Sequence, residues 1–152
     1  MNRANAQERV KDHIRRRGNR FVDVTEHLVR YWWKICNIAL FHGKLHTPKV
    51  IVKALKDDYG YCEHSHPKTT ICISTSACTR LLFMTTLVHE MVHQWELEQN
   101  KRYWGHGKGF HEWQDRINKY LGLDLSVEIV EEDYVTDGQR QLYKRRYQGS
   151  KR

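Results

Sequence analysis

The chain has 152 residues, of which 39% are hydrophobic and 29% charged, and its formal net charge is +8. A chain of this length can bury the core of one ordinary domain without disulfides, and five Trp and eight Tyr supply large apolar side chains for it. There is no apolar run of about 18 or more residues and no hydrophobic signal segment near residue 1, which argues against a secreted or membrane-spanning protein. We expect a soluble, cytoplasmic protein.

The positive charge is concentrated near the two ends of the sequence. Residues 1–20 contain seven basic and two acidic side chains, residues 139–152 contain six basic and no acidic ones, and the residues between carry a net charge of −3. Basic segments on a mildly acidic body are typical of arms that contact polyanions, although solvated tails would have the same composition. We predict a basic N-terminal arm at 1–20, a folded domain at 21–130 and a basic tail at 131–152.

The first third of the chain predicts two helices. Residues 7–17 predict a short helix with few apolar side chains to bury. A long N-terminal helix is predicted to begin at Asp23, which forms a capping-box pattern with Glu26, and to continue to about His42. Its apolar residues recur at helical spacing, and Gly43 suits its end.

Three segments after this helix predict strands, because they are rich in β-branched residues and are bounded by turn residues. They are residues 49–55, 59–63 and 69–75. Residues 110–122 predict a closing helix, and residues 125–130 predict one further strand. Together these elements predict an α+β fold with a small, three-stranded and mainly antiparallel sheet between long helices.

The central segment, residues 81–100, predicts a buried helix that carries His89, Glu90 and His93. Residues four apart share a helix face, so the two histidines can bind one metal ion with Glu90 beside the water that the ion would hold. His-Glu-x-x-His is the signature of zincins, which predicts one Zn²⁺ per chain, a zincin-like fold and Glu90 as general base. The alternative is that both histidines are ordinary polar positions on a core helix.

A catalytic zinc ion needs a third protein ligand. His106 lies in the glycine-containing loop 101–109, which can turn tightly and bring an imidazole back toward the metal helix. Glu112 has the spacing at which another zincin class places a glutamate, whereas Gln99 occupies the position of a metzincin histidine. Spacing alone therefore leaves His106 and Glu112 open, with His111 as a further candidate.

Several of these motifs together resemble the SprT-like metalloprotease family. They are the runs HEMVH at 89–93 and HGKGF at 106–110, preceded by NIALFHGKL at 37–45 and GYC at 60–62. The resemblance covers roughly residues 24–120. It implies a zincin-like α+β fold with an active-site metal helix and a closing helix.

The resemblance also implies an activity, a zinc metalloendopeptidase with ligands His89, His93 and His106 and general base Glu90. The family is associated with cleaving DNA-bound or DNA-crosslinked proteins, so such substrates and DNA with unpaired regions are the implied partners. Two alternatives stay open, a zinc-containing DNA-binding or adaptor protein without significant protease activity and a metallohydrolase whose substrate is unrelated to DNA. The candidates for a second oxyanion donor are Tyr59, Tyr61, Tyr103 and His111.

Cations next to aromatic side chains predict contacts with single-stranded nucleic acid, because bases stack on the rings while phosphates bind the cations. Two such clusters occur, at residues 30–34 and 102–104. For the first cluster, the alternative is that Trp32 lies in the core and Trp33 on the helix surface. The candidate nucleic-acid contacts from the clusters and basic arms are Arg15, Arg16, Arg17, Trp33, Arg102, Trp104, Lys144, Arg145 and Arg146.

The four cysteines are predicted to be free, buried thiols, because no C-x-x-C pair occurs and an intracellular setting is reducing. A second zinc site through Cys62, Cys72 and Cys78 is the alternative, although their spacing does not resemble that of a zinc ribbon or knuckle.

Overall fold

The structure, a computed structural model, describes residues 1–17, 20–65, 68–99 and 108–121. Within these ranges the α+β prediction is confirmed. The elements are helices α1 (Arg3–Arg17), α2 (Glu26–Phe41), α3 (Arg80–Gln99) and α4 (Lys108–Leu121) and strands β1 (Lys49–Lys53), β2 (Gly60–Ser65) and β3 (Lys68–Ser74). No helix in the described ranges is long and apolar enough to cross a bilayer. The predicted strand at 125–130 and the basic tail lie outside them.

The sheet has the order β1-β3-β2 and is mixed, which corrects the mainly antiparallel prediction. β2 pairs with β3 antiparallel, whereas β1 lies on the other side of β3 and runs parallel to it. The sequence pattern marks strands but not their neighbours, and β3 takes the centre because its residues 71–74 are all buried. β1 and β2 are therefore the two edges of the described sheet.

The N-cap of α2 lies two residues later than predicted, and the helix ends where expected. Its N-cap is Thr25, whose hydroxyl accepts a hydrogen bond from the Leu28 N–H at 3.1 Å, so Asp23 is not the cap. At the C-terminal end, His42 and Gly43 both have positive φ, 53° and 71°, and the Gly43 N–H donates to the Asn37 carbonyl.

The buried side chain of Asn37 holds the loop that follows α2. Its amide donates to the Leu45 carbonyl at 3.2 Å, and its Oδ1 accepts from the Leu45 N–H at 3.1 Å. Two residues of the NIALFHGKL motif thus have a structural role, since Asn37 and Gly43 set the path of the chain into β1.

α1 packs on α2 and is longer than the predicted helix at 7–17. Ala6 and Val10 have no exposed surface, and Gln7 donates a side-chain hydrogen bond to the Ala39 carbonyl at 3.0 Å. The helix therefore belongs to the packed body, even though it lies within the predicted arm. Its role in binding DNA and the boundaries at 21–130 and 131–152 stay predictions.

α3 is the central element, and it contacts β2, β3 and the other three helices. Every residue from 82 to 92 is buried, as expected for a helix that is covered on all sides. Its start is fixed by the Thr79 hydroxyl, which accepts from the Leu82 N–H at 3.2 Å, and by backbone bonds between residues 20–22 and 78–80. This burial holds the metal-ligand candidates at fixed positions.

Candidate metal centre

His89 and His93 lie one turn apart on α3 and point at a common position. Their Nε2 atoms are 3.3 Å apart, and His89 is only 9% exposed. Two nitrogens bound to one tetrahedral zinc ion at about 2.0–2.1 Å each would be about 3.3–3.4 Å apart. The donor set and its spacing therefore fit a zinc ion without rearrangement of the helix.

Glu90 completes a group of three side chains whose ligand atoms all lie within 4.8 Å of one another. Within the described residues, these are the three side chains that could bind one metal ion. Its carboxylate is 5% exposed, and burial raises the pKa of Glu90 to about 8, with repulsion from Asp58 adding to the rise. A divalent cation beside Glu90 would lower this pKa, because a positive charge favours the ionised carboxylate.

Phe110, near the start of α4, covers both imidazoles. Its ring centroid lies 4.8 Å from that of His89 and 5.1 Å from that of His93, and the side chain has no exposed surface. An aromatic wall limits the rotation of the two rings and keeps water from one side of the site. The HGKGF motif thus supplies a packing residue as well as a candidate ligand.

β2 approaches α3 closely because residue 60 is glycine. A Cβ at Gly60 would lie 2.8 Å from the Cys72 carbonyl oxygen and 3.0 Å from Cγ2 of Thr86, which is one turn before Glu90 on α3. The same strand carries Cys62, whose pKa is raised by burial and by the nearby charge of Glu90. The GYC motif therefore places one edge strand beside the metal centre.

A buried polar network, which the sequence analysis missed, fixes the rotation of α3. The Trp33 indole N–H donates to Gln94 Oε1 at 3.0 Å, and Gln94 Nε2 donates to the His46 carbonyl at 2.7 Å and to Glu98 at 2.9 Å. Glu98 in turn accepts from the His46 N–H. Gln94 follows His93 directly, so the network ties the ligand-bearing turn to α2 and to the loop before β1.

Glu96 is a second unpredicted feature of α3. It lies three residues after His93 and seven after His89, which is one helix face, and it is 3% exposed. Within the described part of the chain neither carboxylate oxygen has a hydrogen-bond partner, and Oε1 lies 3.0 Å from the position of a Cβ on Gly109. Burial raises the pKa of Glu96. The helical spacing in the sequence was a signal that could have revealed it.

The structure describes two of the three candidate third ligands, His111 and Glu112. His106 lies outside the described residues. His111 and Glu112 are exposed on α4, His111 Nδ1 lies 3.2 Å from Gln114 Oε1, and neither belongs to the metal-ligand group. Of the oxyanion-donor candidates, Tyr59 and Tyr61 are half-buried. Tyr103 lies outside the described ranges.

Among the nucleic-acid candidates, Trp33 requires a correction. It is 4% exposed and hydrogen-bonded to Gln94, so its ring is not available to stack on a base, and it is not the surface neighbour of Trp32 that the alternative supposed. Arg15 is exposed on α1. The candidates whose side chains lie outside the described part are Arg16, Arg17, Arg102, Trp104, Lys144, Arg145 and Arg146.

The cysteines are free, as predicted. Cys36, Cys72 and Cys78 are buried, and Cys62 is half-buried. Burial raises the pKa of Cys36 to about 12, so it stays a thiol. None of them belongs to a metal-ligand group in the described residues, which gives no support to a second zinc site.

The fold and the site together define a class of protein. A buried helix that carries His-Glu-x-x-His in an α+β fold, with the three side chains converging, fits a zincin-type metallopeptidase. The model of the SprT-like family matches residues 29–131, and the chain belongs to this family. No curated protein matches the chain.

Proposed function

We propose that this protein is a zinc-dependent endopeptidase that cleaves proteins associated with or crosslinked to DNA. The observation that carries the peptidase assignment is the 3.3 Å separation of the His89 and His93 Nε2 atoms, with the Glu90 carboxylate beside them. A purely structural zinc site would close its fourth position with another ligand and has no use for a buried carboxylate there.

Glu90 carries the proton transfers. A zinc ion held by His89, His93 and, as proposed third ligand, His106 would act as a Lewis acid toward water and the peptide carbonyl. Glu90 takes the proton of the attacking water and delivers it to the amine nitrogen as the C–N bond breaks. Glu90 is only 5% exposed, which suits a group that moves a proton within the site.

For the peptide substrate we propose binding along the open edge of β2, beside these residues. β2 pairs with β3 on one side only within the described sheet, and it packs against α3 through the close approach at Gly60. An edge strand presents unpaired backbone groups to which an extended peptide can add. Binding through backbone groups gives little selectivity for side chains, so we propose that substrates are selected by their presence on DNA.

The basic segments support this part of the proposal, since cations that neutralise phosphates give sequence-independent affinity. Deletion of residues 1–20 is a poor test, because it would remove the core residues Ala6 and Val10. Combined substitution of Lys144, Arg145 and Arg146 by alanine should instead reduce the slope of log K against log salt by up to about 2 for single strands. Substrates on DNA imply action at the cell's DNA, and we propose the cytoplasm, in association with the nucleoid.

The proposed function is tested with zinc-loaded protein and its Glu90→Gln variant. Each is incubated with a DNA-binding protein and with a protein that does not bind DNA, in the presence and absence of single-stranded DNA. We expect fragments of the DNA-binding protein from the wild type only, and more of them with DNA present. Cleavage of both proteins without regard to DNA would favour a hydrolase unrelated to DNA, and no cleavage would favour a binding or adaptor protein.

A further inference from the structure

A cavity of about 350 Å³ opens between the N-terminal end of α1, the C-terminal end of α2, Trp95 of α3 and the face of α4 that carries Trp113 and Tyr120. It is distinct from the metal centre, whose three side chains do not line it. Four aromatic side chains line it: Phe41 and Trp113 are buried at its base, whereas Trp95 is half-buried and Tyr120 is exposed. A volume at the small end of the range of ligand sites suits a single planar group better than a folded partner.

The sequence of α4 explains why this cavity forms. Trp113, Arg116 and Tyr120 recur at intervals of three and four residues, so they lie on one face of the helix. Trp113 anchors that face, because its ring contacts Phe41 at 4.7 Å and Trp95 at 5.1 Å between centroids. Tyr120, by contrast, is 47% exposed at the rim, which leaves a large ring open to a ligand.

The charges around the cavity have one sign. Arg3, Lys44 and Arg116 line it, and no carboxylate does so among the residues that the structure describes. The Arg116 guanidinium lies 5.3 Å from the centre of the Trp113 ring, and Arg3 donates to the Ala39 carbonyl at 3.4 Å. Two of the three cations thus contact the protein at the cavity, and all three are exposed to a ligand.

We propose that this cavity binds one unpaired nucleotide of a single-stranded nucleic acid, with the base on the accessible rings of Trp95 and Tyr120 and the adjoining phosphates at Arg3, Lys44 and Arg116. Aromatic side chains combined with cations are the means by which proteins bind single strands without regard to sequence. A duplex is excluded, because its bases are already stacked and paired. The inference rests on the proposed function and names the core surface at which its nucleic-acid partner binds.

The position of the cavity relates it to the metal centre. Phe110 covers the two histidines, and Tyr120 lies ten residues further along α4, about 15 Å along the helix axis. Since both belong to one helix, a strand bound at the cavity would be held at a fixed distance from the site of peptide cleavage. A protein attached to that strand would then be presented to the metal centre.

The experiment measures binding of the full-length protein to a labelled oligothymidylate of about eight nucleotides by fluorescence anisotropy. The matched ligand is an abasic oligonucleotide of the same length, which has the same phosphates and no bases. We expect Tyr120→Ala to weaken oligothymidylate binding about tenfold and abasic binding hardly at all, because the substitution removes one ring on which a base stacks. Tyr120→Phe keeps the ring and should restore the affinity.

Two variants serve as controls for fold and charge. Asn118→Ala shortens an exposed side chain of α4 outside the cavity, and Lys119→Glu reverses a charge on the same helix, and both should bind nearly as the wild type does. Lys44→Glu, at the rim, should weaken binding and lower the salt slope by about 0.7, because one phosphate of the strand is no longer neutralised. Thermal unfolding of each variant confirms that the fold is retained.

Three results would overturn the inference. Tyr120→Ala could bind oligothymidylate as tightly as the wild type does, or the wild type could bind the abasic strand as tightly as oligothymidylate, which would leave only phosphate contacts. Alternatively, labelled polyglutamate could bind with an affinity that falls in Lys44→Glu while oligothymidylate does not bind, which would make the partner an acidic peptide. Since this experiment measures binding and the test with Glu90→Gln measures cleavage, failure of the peptidase proposal in the cleavage test would leave this inference standing, and failure of the binding prediction would leave the peptidase proposal standing.

Discussion

The ring of Phe110 stacks on the imidazole of His93, with centroids 5.1 Å apart and 24° between the planes. The two side chains come from different helices, α4 and α3, and Phe110 is fully buried. The orientation of a candidate zinc ligand is therefore fixed by a helix that does not carry it. Residues that hold metal ligands in place are expected to affect metal affinity nearly as strongly as the ligands do.

Phe110→Leu tests this relationship. Leucine keeps an apolar side chain in the core but cannot stack, so we expect zinc affinity to fall about tenfold, the lower end of the effect of removing such support. A chelator competition measures the affinity. As a control, Ile117→Val two turns further along α4 should cost about 0.5–1.5 kcal/mol of stability and leave zinc affinity unchanged. Equal zinc affinity in both variants would show that Phe110 only fills space.

The third ligand is tested by a pair of histidine variants. His106→Ala should lose most of the bound zinc when protein purified without added metal is analysed for metal content. His111→Ala should keep about one equivalent, because His111 is exposed and its Nδ1 faces Gln114. The reverse result, with zinc lost only from His111→Ala, would transfer the ligand role to His111.

The described helices and strands were predicted close to their observed positions, because each has a signal in its own stretch of sequence. Helical periodicity located α3, whose observed range is Arg80–Gln99 against the predicted 81–100. The neighbours of each strand carry no such signal, which is why the parallel pairing of β1 with β3 was missed. The N-cap of α2 was misplaced for a related reason, since Asp23 and Thr25 are both good caps and only the backbone conformation decides between them.

Trp33→Phe tests the buried network on α2. The substitution keeps the apolar ring but removes the donor to Gln94 Oε1, which leaves a buried acceptor unpaired at a cost of about 1–3 kcal/mol. For a protein of this size we expect a Tm lower by at least about 2–4 °C. Affinity for single-stranded DNA should not change, because the ring is inaccessible. Weaker DNA binding at an unchanged Tm would restore Trp33 as a base-stacking residue.

Glu96→Gln tests the buried carboxylate through its pH dependence. The pKa of Glu96 is raised above its ordinary value of 4.5, which means that the folded state disfavours ionisation of this carboxyl group. The free energy of unfolding therefore falls as the pH rises from about 4.5 through the raised pKa of the folded state. We therefore expect the variant to have a higher Tm than the wild type at pH 8 and the same Tm near pH 4, because glutamine does not ionise. Thermal unfolding across this range measures the difference.

Glu98→Gln is the control for that comparison. Glu98 accepts hydrogen bonds from the His46 N–H and from Gln94, so the loss of its charge should lower the Tm rather than raise it. A lower Tm for Glu96→Gln at pH 8 would instead mean that the Glu96 carboxylate is stabilised by a partner.

The site was predictable in part, for a physical reason. The spacing of His89, Glu90 and His93 is a property of one helix, so the motif alone implied that they converge. The Trp33–Gln94 bond joins residues 61 positions apart, and no spacing rule connects them. The cavity at Tyr120 likewise arises where four helices meet, and its residues do not form a sequence motif.

Reconstitution of zinc-free protein with zinc tests the central claim most directly. Cleavage of a DNA-bound protein is measured after each addition, for the wild type and for Glu90→Gln. We expect wild-type cleavage to rise in proportion to added zinc and to stop rising at about one equivalent per chain, as a single catalytic site requires. Glu90→Gln should bind the same equivalent and cleave nothing. Cleavage by the zinc-free protein, or undiminished cleavage by Glu90→Gln, would contradict the account.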